Sequence, residues 1–560
     1  MLVYGGSHIH PSLKSTSLVG NSYMSLRRSE MCIGTVQAID GMSISIRAEL
    51  LEIDFDGDEY IVEIGAYLNC GGRHGDTICM VTRVQLEEVE RRSEVVEVKT
   101  VTLTVVGSVI ESKFKRGAAR LPTIGCSAYF LSDEQQKIIH GAKDNSEKRY
   151  FSVSEPQDGE VMLSLDKLLA RHVAILGTTG SGKSYTVASI VQSILRSYPY
   201  PRMIFFDIHN EYSNAFGHGI DKNEVLKNKT LFTKWEDFSL PYWFLDLEEL
   251  LEIYYPGAGT NQIVDIKKIV TELKQKHGAL EGLKKANISC DSPIYFDIDE
   301  LLQEIKANKA AMTAAAQKEY WQKLELKIEG IHTDSRYWFL RKEVDQKLTL
   351  ESYFSRLLGI EFEEKKYLNI LDLSGLPSEV RNVCIGVISR LCFDYKYWEL
   401  DPEHLPLALV MEEAHTYIPE ENSARFSLCR ERVERIAKEG RKYGLSLIVV
   451  SQRPSNISPT VLSQCGTFIT LRLTNDIDQN KVKRFLPDTL GSQADMLPSL
   501  RDGEALVSGD GINLPKKVKF RLPSPPPKSN DVRYHKSWSE ELSAGYSVQR
   551  TIRGWKTGKK

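Results

Sequence analysis

The sequence predicts an α/β protein: a parallel-sheet core built on a phosphate-binding loop, preceded by a small β-barrel and interrupted by a helical subdomain. Three observations carry this. An apolar strand, Val173 to Leu176, runs into the glycine-rich loop Gly177-Thr178-Thr179-Gly180-Ser181-Gly182-Lys183-Ser184, which opens a helix. Strand–helix alternation follows through RMIFFDIHNEYS, YLNILDLSG, LPLALVMEEAH and LSLIVVSQRP, and a charged, Leu-Glu-Lys-rich block separates the first of these from the rest. Ahead of the loop, from Met31 to about Val153, short runs of alternating apolar and polar residues broken by Gly or Asp read as strands of an antiparallel barrel.

The elements divide the 560 residues as follows. Residues 1–30, rich in Ser, Gly and His without periodicity, read as a flexible lead-in. The barrel spans 31–155, the core 156–215 and 365–522, and the helical insertion 216–364. The run RLPSPPPKSN breaks regular structure, so 523–560 reads as a Pro-rich linker and a basic tail, RTIRGWKTGKK. Trp321, Tyr337 and Trp338 in the insertion read as packing residues.

Composition narrows the function. Hydrophobic residues at 41% and charged residues at 26% exclude disorder over most of the length. Seventy-two Lys+Arg against 75 Asp+Glu, a net −3, excludes a surface coated in basic charge; contact with nucleic acid must come from a local patch or a ring of subunits. Nine scattered cysteines without a C-x-x-C pair predict reduced thiols and a cytoplasmic protein. The N-terminus lacks the basic-then-apolar run of a signal peptide, and no stretch reaches the ~18 apolar residues of a membrane span.

The loop carries the chemistry. Glycines let the N–H groups of Gly180 to Ser184 point at phosphate oxygens, and the helix N-terminus, running on through Tyr185, adds positive partial charge. Lys183 is expected on the β/γ-phosphates of ATP and Ser184 on Mg²⁺. The apolar strand Leu407 to Met411 ends in Glu412, the expected metal-shell carboxylate, and Glu413, the expected general base. A third strand end places Gln452 where RecA-like ATPases keep a γ-phosphate sensor; a solvated strand-end amide is the other reading.

With FFDIHNEYS, LDLSGLP, MEEAH and IAKEGRKYGLSLIVVSQRPSNISPTVLSQCGTFITLRLTND, the chain resembles the HerA family of the FtsK–HerA branch of ring-forming DNA translocases. The resemblance implies a RecA-like P-loop core and a homo-oligomer, a hexamer, with DNA in its pore; no membrane contact is expected, since the sequence has no apolar span to anchor it. It implies that Asp207, His209 and Glu211 lie beside the ATP site, orienting water or metal. It also implies a trans-acting arginine, Arg441, with Arg453 as rival for the role. In the family, a separate nuclease docks on the barrel face, and bacterial relatives sit beside antiphage effectors, which suggests an antiviral defence role.

The basic run Arg425 to Lys442 reads either as a pore lining or as a solvated or intersubunit helix face, and Lys481, Lys483 and Arg484 are weaker pore candidates. Two functions remain open. One is an ATP-driven translocase or helicase working with a nuclease or effector; the other is an ATP-regulated scaffold that switches an effector without sustained movement on DNA. A plasmid-transfer motor is a third and weaker reading, since it would bring a membrane anchor.

Overall fold

A computed structural model describes residues 32–557 except 56–57, 73–74, 92–93, 118–120, 140–148, 156–160, 222, 343–347, 361–363, 422–426, 487–490, 530–533 and 540–546. The expected lead-in at 1–30 and Arg425 lie outside the described residues. The chain packs as two compact units, 1–143 with 489–493, and 144–488 with 494–560.

In the first unit, β1 (Cys32–Asp40), β2 (Ser43–Ala48), β3 (Tyr67–Gly72), β4 (Gly75–Arg91), β5 (Glu94–Ile110) and β6 (Ser127–Phe130) pair in the order β2-β1-β6-β3-β4-β5. Antiparallel pairing of β2 with β5, from Ser43↔Thr104 to Ala48↔Lys99, closes the ring. Alternation sets which side chains fill it: Ile44, Ile46 and Ala48 are buried while Ser43, Ser45 and Arg47 are not. Leu68, Cys70, Val81, Val101 and Leu103 complete the interior. Closure leaves no unpaired edge among these six strands.

The second unit is built on a nine-stranded sheet. Its strands are β7 (Val173–Leu176), β8 (Met203–Asp207), β9 (Thr230–Thr233), β10 (Leu368–Asp372), β11 (Leu407–Met411), β12 (Leu445–Ser451), β13 (Thr467–Thr470), β14 (Glu504–Gly509) and β15 (Lys516–Lys519). Their order is β9-β10-β8-β11-β12-β7-β13-β14-β15, parallel from β9 to β13 and antiparallel beyond. Every residue of β7, β8, β10, β11 and β12 is buried, which is why these strands read as continuous apolar runs. The registers Leu176↔Ser451, Leu176↔Thr470, Asp207↔Asp372 and Phe206↔Met411 bring their carboxyl ends to one edge. That edge is where parallel α/β sheets bind ligands. Helix α1 (Lys183–Ser197) is buried on nearly all sides from Thr186 to Leu195, as a helix enclosed by the core must be.

The insertion contains α2 (Leu247–Tyr254), α3 (Thr260–Leu280), α4 (Ile298–Ala311) and α5 (Ala315–Thr333). It is not wholly helical: β9 lies within it and extends the parallel sheet beside β10. The β-branched and aromatic sequence TLFT suits an edge strand better than the surrounding Lys-Glu pattern. Trp321 packs on α5, buried. A buried ionic junction holds the insertion to α6 (Ser378–Trp398) and α7 (Ser427–Glu439): Arg390 donates to both oxygens of Glu249 at 2.7 and 2.8 Å, and Arg432 donates to Asp246 at 2.8 Å.

The proline run, expected as a linker, lies against the core. Gln192 of α1 donates to the Pro525 carbonyl at 2.8 Å and accepts from the Ser524 N–H at 2.9 Å. Asn214 donates to the Pro526 carbonyl at 2.9 Å, and the Lys528 N–H donates to the Glu211 carbonyl at 2.7 Å. Prolines lack N–H donors, so side chains of the core meet the polar groups of this stretch instead of a strand. The nine cysteines are free thiols. No helix among the described residues is long and apolar enough to cross a membrane.

Candidate nucleotide site

Backbone geometry shapes the loop between β7 and α1 before any side chain acts. Gly180 (φ +76°) and Gly182 (φ +88°) are left-handed, and a Cβ on Gly182 would come within 2.8 Å of the Gly503 nitrogen. Only glycine meets both demands. Neighbouring strand ends anchor the loop: the Gly177 N–H donates to the Ser451 carbonyl at 3.2 Å, and the Thr178 N–H and hydroxyl donate to the Arg472 carbonyl at 3.0 and 2.9 Å. Within it, the Ser181 hydroxyl donates to the Thr178 carbonyl at 2.7 Å. The first N–H groups of α1, from Lys183 through Ser184 and Tyr185, begin a helix whose opening donors have no intrahelical acceptor.

Lys183 is buried and its ammonium meets Glu413 Oε1. The glutamate stands just past β11 in left-handed backbone, φ +48° and ψ +42°. Such a conformation costs a non-glycine residue about 1–3 kcal/mol and persists where the surroundings impose it. Here the Thr416 N–H and hydroxyl both donate to the Glu413 carbonyl at 2.9 Å.

Glu412 lies deeper, 1% exposed. Its Oε1 accepts from the Tyr212 hydroxyl at 3.0 Å and its carbonyl from the Tyr417 hydroxyl at 2.9 Å, while Oε2 has no hydrogen-bond partner. Burial first, and then the charge of Asp207, hold its proton affinity well above the ordinary carboxylate range. Asp207, at the end of β8, accepts the N–H groups of His209, Glu211 and Tyr212 at 3.2, 3.2 and 3.0 Å. Burial nevertheless pushes its carboxyl up to about 7. Glu211 reaches back to the loop, its Oε2 accepting from the Ser184 hydroxyl at 3.1 Å.

Asp207, Glu211, Glu412 and Glu413 thus gather around the single Lys183, and two buried oxygens, one on each of Glu412 and Glu413, are left over. A divalent cation fits this imbalance. Among the described residues no closed set of three His, Cys, Asp or Glu ligands is preassembled. Mg²⁺ does not require one, because it keeps waters and takes phosphate oxygens beside one or two protein groups. Ser184, Glu412 and Glu211 are the groups placed to hold it or its waters.

Of the other expected residues, Gln452 does reach the loop, its side-chain oxygen accepting from the Thr179 hydroxyl at 2.5 Å. The His209 ring is exposed and only its backbone N–H joins the cluster. Arg453 is exposed, with its N–H donating to Ser451 Oγ at 3.0 Å. Arg441 is not near the loop. It precedes β12, whose far end carries Gln452, so the seven-residue strand separates the two by about 20 Å. There it lines a largely apolar cavity of about 510 Å³ among the strand starts, with Tyr198, Met203 and Leu407.

The basic stretch is largely neutralised within the chain. Arg430 pairs with Glu434, Arg432 with Asp246 and Glu248, Lys438 with Glu434, and Arg435 covers the Phe393 ring. Lys481 and Lys483 pair with Glu420 and Asp495. These residues therefore read as a paired helix face rather than a free cationic lining, whereas Arg441 and Lys442 are exposed.

Sequence reasoning missed Tyr212 and Tyr417, which position Glu412, and Asp372, which ends β10 beside Asp207. Tyr212 directly follows Glu211 in the quoted element and was findable there; Tyr417 carries no local signal.

Residues 152–392 match the family model described as "Helicase HerA, central domain". The chain is 27% identical over 415 residues to a probable helicase of Methanocaldococcus jannaschii, covering 72% of this chain and 73% of the relative. It is 26% identical over 410 residues to the DNA double-strand break repair helicase HerA of Sulfolobus acidocaldarius, covering 71% and 73%. A solved structure of VirB4 from Thermoanaerobacter pseudethanolicus aligns with a TM-score of 0.47 at 16% identity, covering 66% of this chain and 96% of that one. With a phosphate loop opening α1, a glutamate pair at the end of β11 and a match running from 152 through that loop into α6, the chain is similar to HerA helicases over this span and is a P-loop ATPase of the helicase type.

Proposed function

We propose that this protein is a ring-forming, ATP-driven DNA translocase that hydrolyses ATP between subunits and works with a separate nuclease or defence effector. The observation that carries the ATPase part is the contact between Lys183 and Glu413 at the carboxyl edge of the sheet, where the cation meant for phosphate and the base meant for water already meet. In this reading the loop N–H groups and Lys183 bind the β/γ-phosphates, and Glu413 accepts a proton from the water whose oxygen attacks the γ-phosphorus as the bond to the bridging oxygen breaks. Mg²⁺, held through Ser184 and Glu412, would offset phosphate charge. Gln452, fixed against Thr179, reports the γ-phosphate.

Arg441 lies too far from this chain's own loop to serve it, which supports donation to a neighbour's site within a hexameric ring. DNA as the track is supported by the names of the relatives, and with the basic stretch paired, contact with it would be sequence-independent and confined to few cations per subunit. The closed barrel, with no candidate catalytic pair in its sequence, suits a docking face for the nuclease or effector.

The test is steady-state ATP hydrolysis with and without linear duplex DNA, with Lys183→Ala subtracting contaminants. Stimulation by DNA is the expected result. Clear basal turnover that DNA leaves unchanged would favour a scaffold whose ATPase answers to an effector.

A further inference from the structure

The second oxygen of Glu413 is unexplained by the site as described. Oε1 is held by Lys183, but Oε2 is buried and has no hydrogen-bond partner. Two residues on, His415 places Nδ1 3.3 Å from that oxygen, with both side chains mostly enclosed. The same nitrogen lies 3.1 Å from Ser451 Oγ at the end of β12. One imidazole therefore stands between the glutamate and the strand end whose next residue, Gln452, touches the phosphate loop.

Lys183 cannot serve phosphate and carboxylate equally. When phosphates draw it away, Glu413 stays buried with its charge and without its partner, a costly state unless another donor is at hand. His415 is such a donor. Burial lowers its proton affinity, with Lys183 and Arg453 acting in the same direction and Glu413 and Asp478 opposing. A neutral ring carries one N–H, and a bare Nδ1 would aim its lone pair at a carboxylate oxygen, so the tautomer protonated on Nδ1 suits the site.

We propose that His415 is a positioning residue: its Nδ1–H takes hold of Glu413 Oε2 once Lys183 turns to phosphate, and its contact with Ser451 ties the aim of that carboxylate to the sensor end of β12. This rests on Glu413 being the general base. His415 itself touches neither nucleotide nor water.

The test uses the full chain carrying His415→Ala, His415→Asn or Glu413→Gln, with kcat and KM for ATP, the dissociation constant of a fluorescent ADP analogue, and the thermal midpoint measured for each. His415→Ala is expected to lower kcat by about 10- to 100-fold, the usual cost of removing a partner that orients a reacting group. ADP affinity should stay within about twofold, since no transition-state-only contact is involved in holding product. His415→Asn, whose amide N–H can stand where Nδ1–H stood, should recover most of kcat. Full kcat in His415→Ala beside a dead Glu413→Gln would overturn the proposal and leave the base intact. So would a folded His415→Asn no better than the alanine variant, or a loss in kcat matched by an equal loss in ADP affinity. A fully active Glu413→Gln would remove the underlying reading of the base.

Discussion

Two clusters of buried charge in the second unit look alike in composition and differ in completion. At the insertion junction, Glu249 is 1% exposed and both its oxygens are taken, Oε1 by Arg390 and Oε2 by Arg390 and the Asp246 N–H. Arg390 spends its remaining donors on the Phe244 carbonyl and Asp394, and in this junction Arg432 Nε is the buried polar atom left over. At the nucleotide edge, Asp207, Glu412 and Glu413 are 0, 1 and 6% exposed around one lysine, and an oxygen of each glutamate lacks a hydrogen bond. Burial of charge is common to both; unmet capacity to bond marks the edge that waits for a ligand.

The sharpest break in this comparison is Lys183→Ala, which should reduce ATP hydrolysis to background; wild-type turnover in that variant would empty the nucleotide edge of its assigned role. Next is Arg441→Ala. A trans-acting arginine is worth about 10³–10⁵ in turnover, so hydrolysis should collapse while nucleotide binding persists. Mixing Arg441→Ala with Glu413→Ala subunits should restore some activity at mixed interfaces, and co-assembled mixtures no more active than either parent would count against action in trans.

The junction should respond in stability instead. Arg390→Ala strands Glu249 and is expected to cost about 3–5 kcal/mol, read as a lower urea midpoint, whereas Arg390→Met with Glu249→Leu should recover most of it because apolar pairs replace buried ion pairs well. A double variant as weak as the single one would mean that the junction is held by more than charge completion.

The smallest effect concerns Lys274, fully buried in the insertion with its ammonium on the Cys290 and Ser292 carbonyls at 2.7 Å each. Burial pulls its pKa down from 10.5 to about 8. The folded state then binds fewer protons than the unfolded one between these values, so this residue's contribution rises with pH across that window and is lost as pH falls through about 8. Thermal midpoints of wild type against Lys274→Met from pH 7 to 10 should rise more steeply with pH in wild type than in the variant.

Much of the core was legible because a fully buried parallel strand announces itself. VAIL, MIFFD and LALVM are apolar runs that end where the expected site residues gather, and the alternation of β2 exposed the barrel in the same way. What escaped was whatever depends on distant partners. Nothing near Arg432 says that Asp246, far earlier in the chain, neutralises it, so a run of bases looked freer than it is. β9 hid in a helical block because four residues give too little pattern, and Tyr417 hid because a hydroxyl that props a carbonyl leaves no periodic trace. At the nucleotide edge, types and spacing found Lys183, Ser184, Glu412 and Glu413, yet the orphaned oxygens are visible only in three dimensions.

The proline strap bears on how this protein is handled at the bench. Residues 524–528 look disposable in sequence, an obvious place to end an expression clone or append a tag. Their carbonyls and N–H groups, however, finish the hydrogen bonding of Gln192 on the helix that opens at Lys183, and of the backbone of Glu211, whose carboxylate holds Ser184. A clone cut before Ser524 would shorten the chain by what looks like a tail while dismantling part of the wall behind the phosphate loop, and a weak ATPase from such material would report the cut rather than the enzyme.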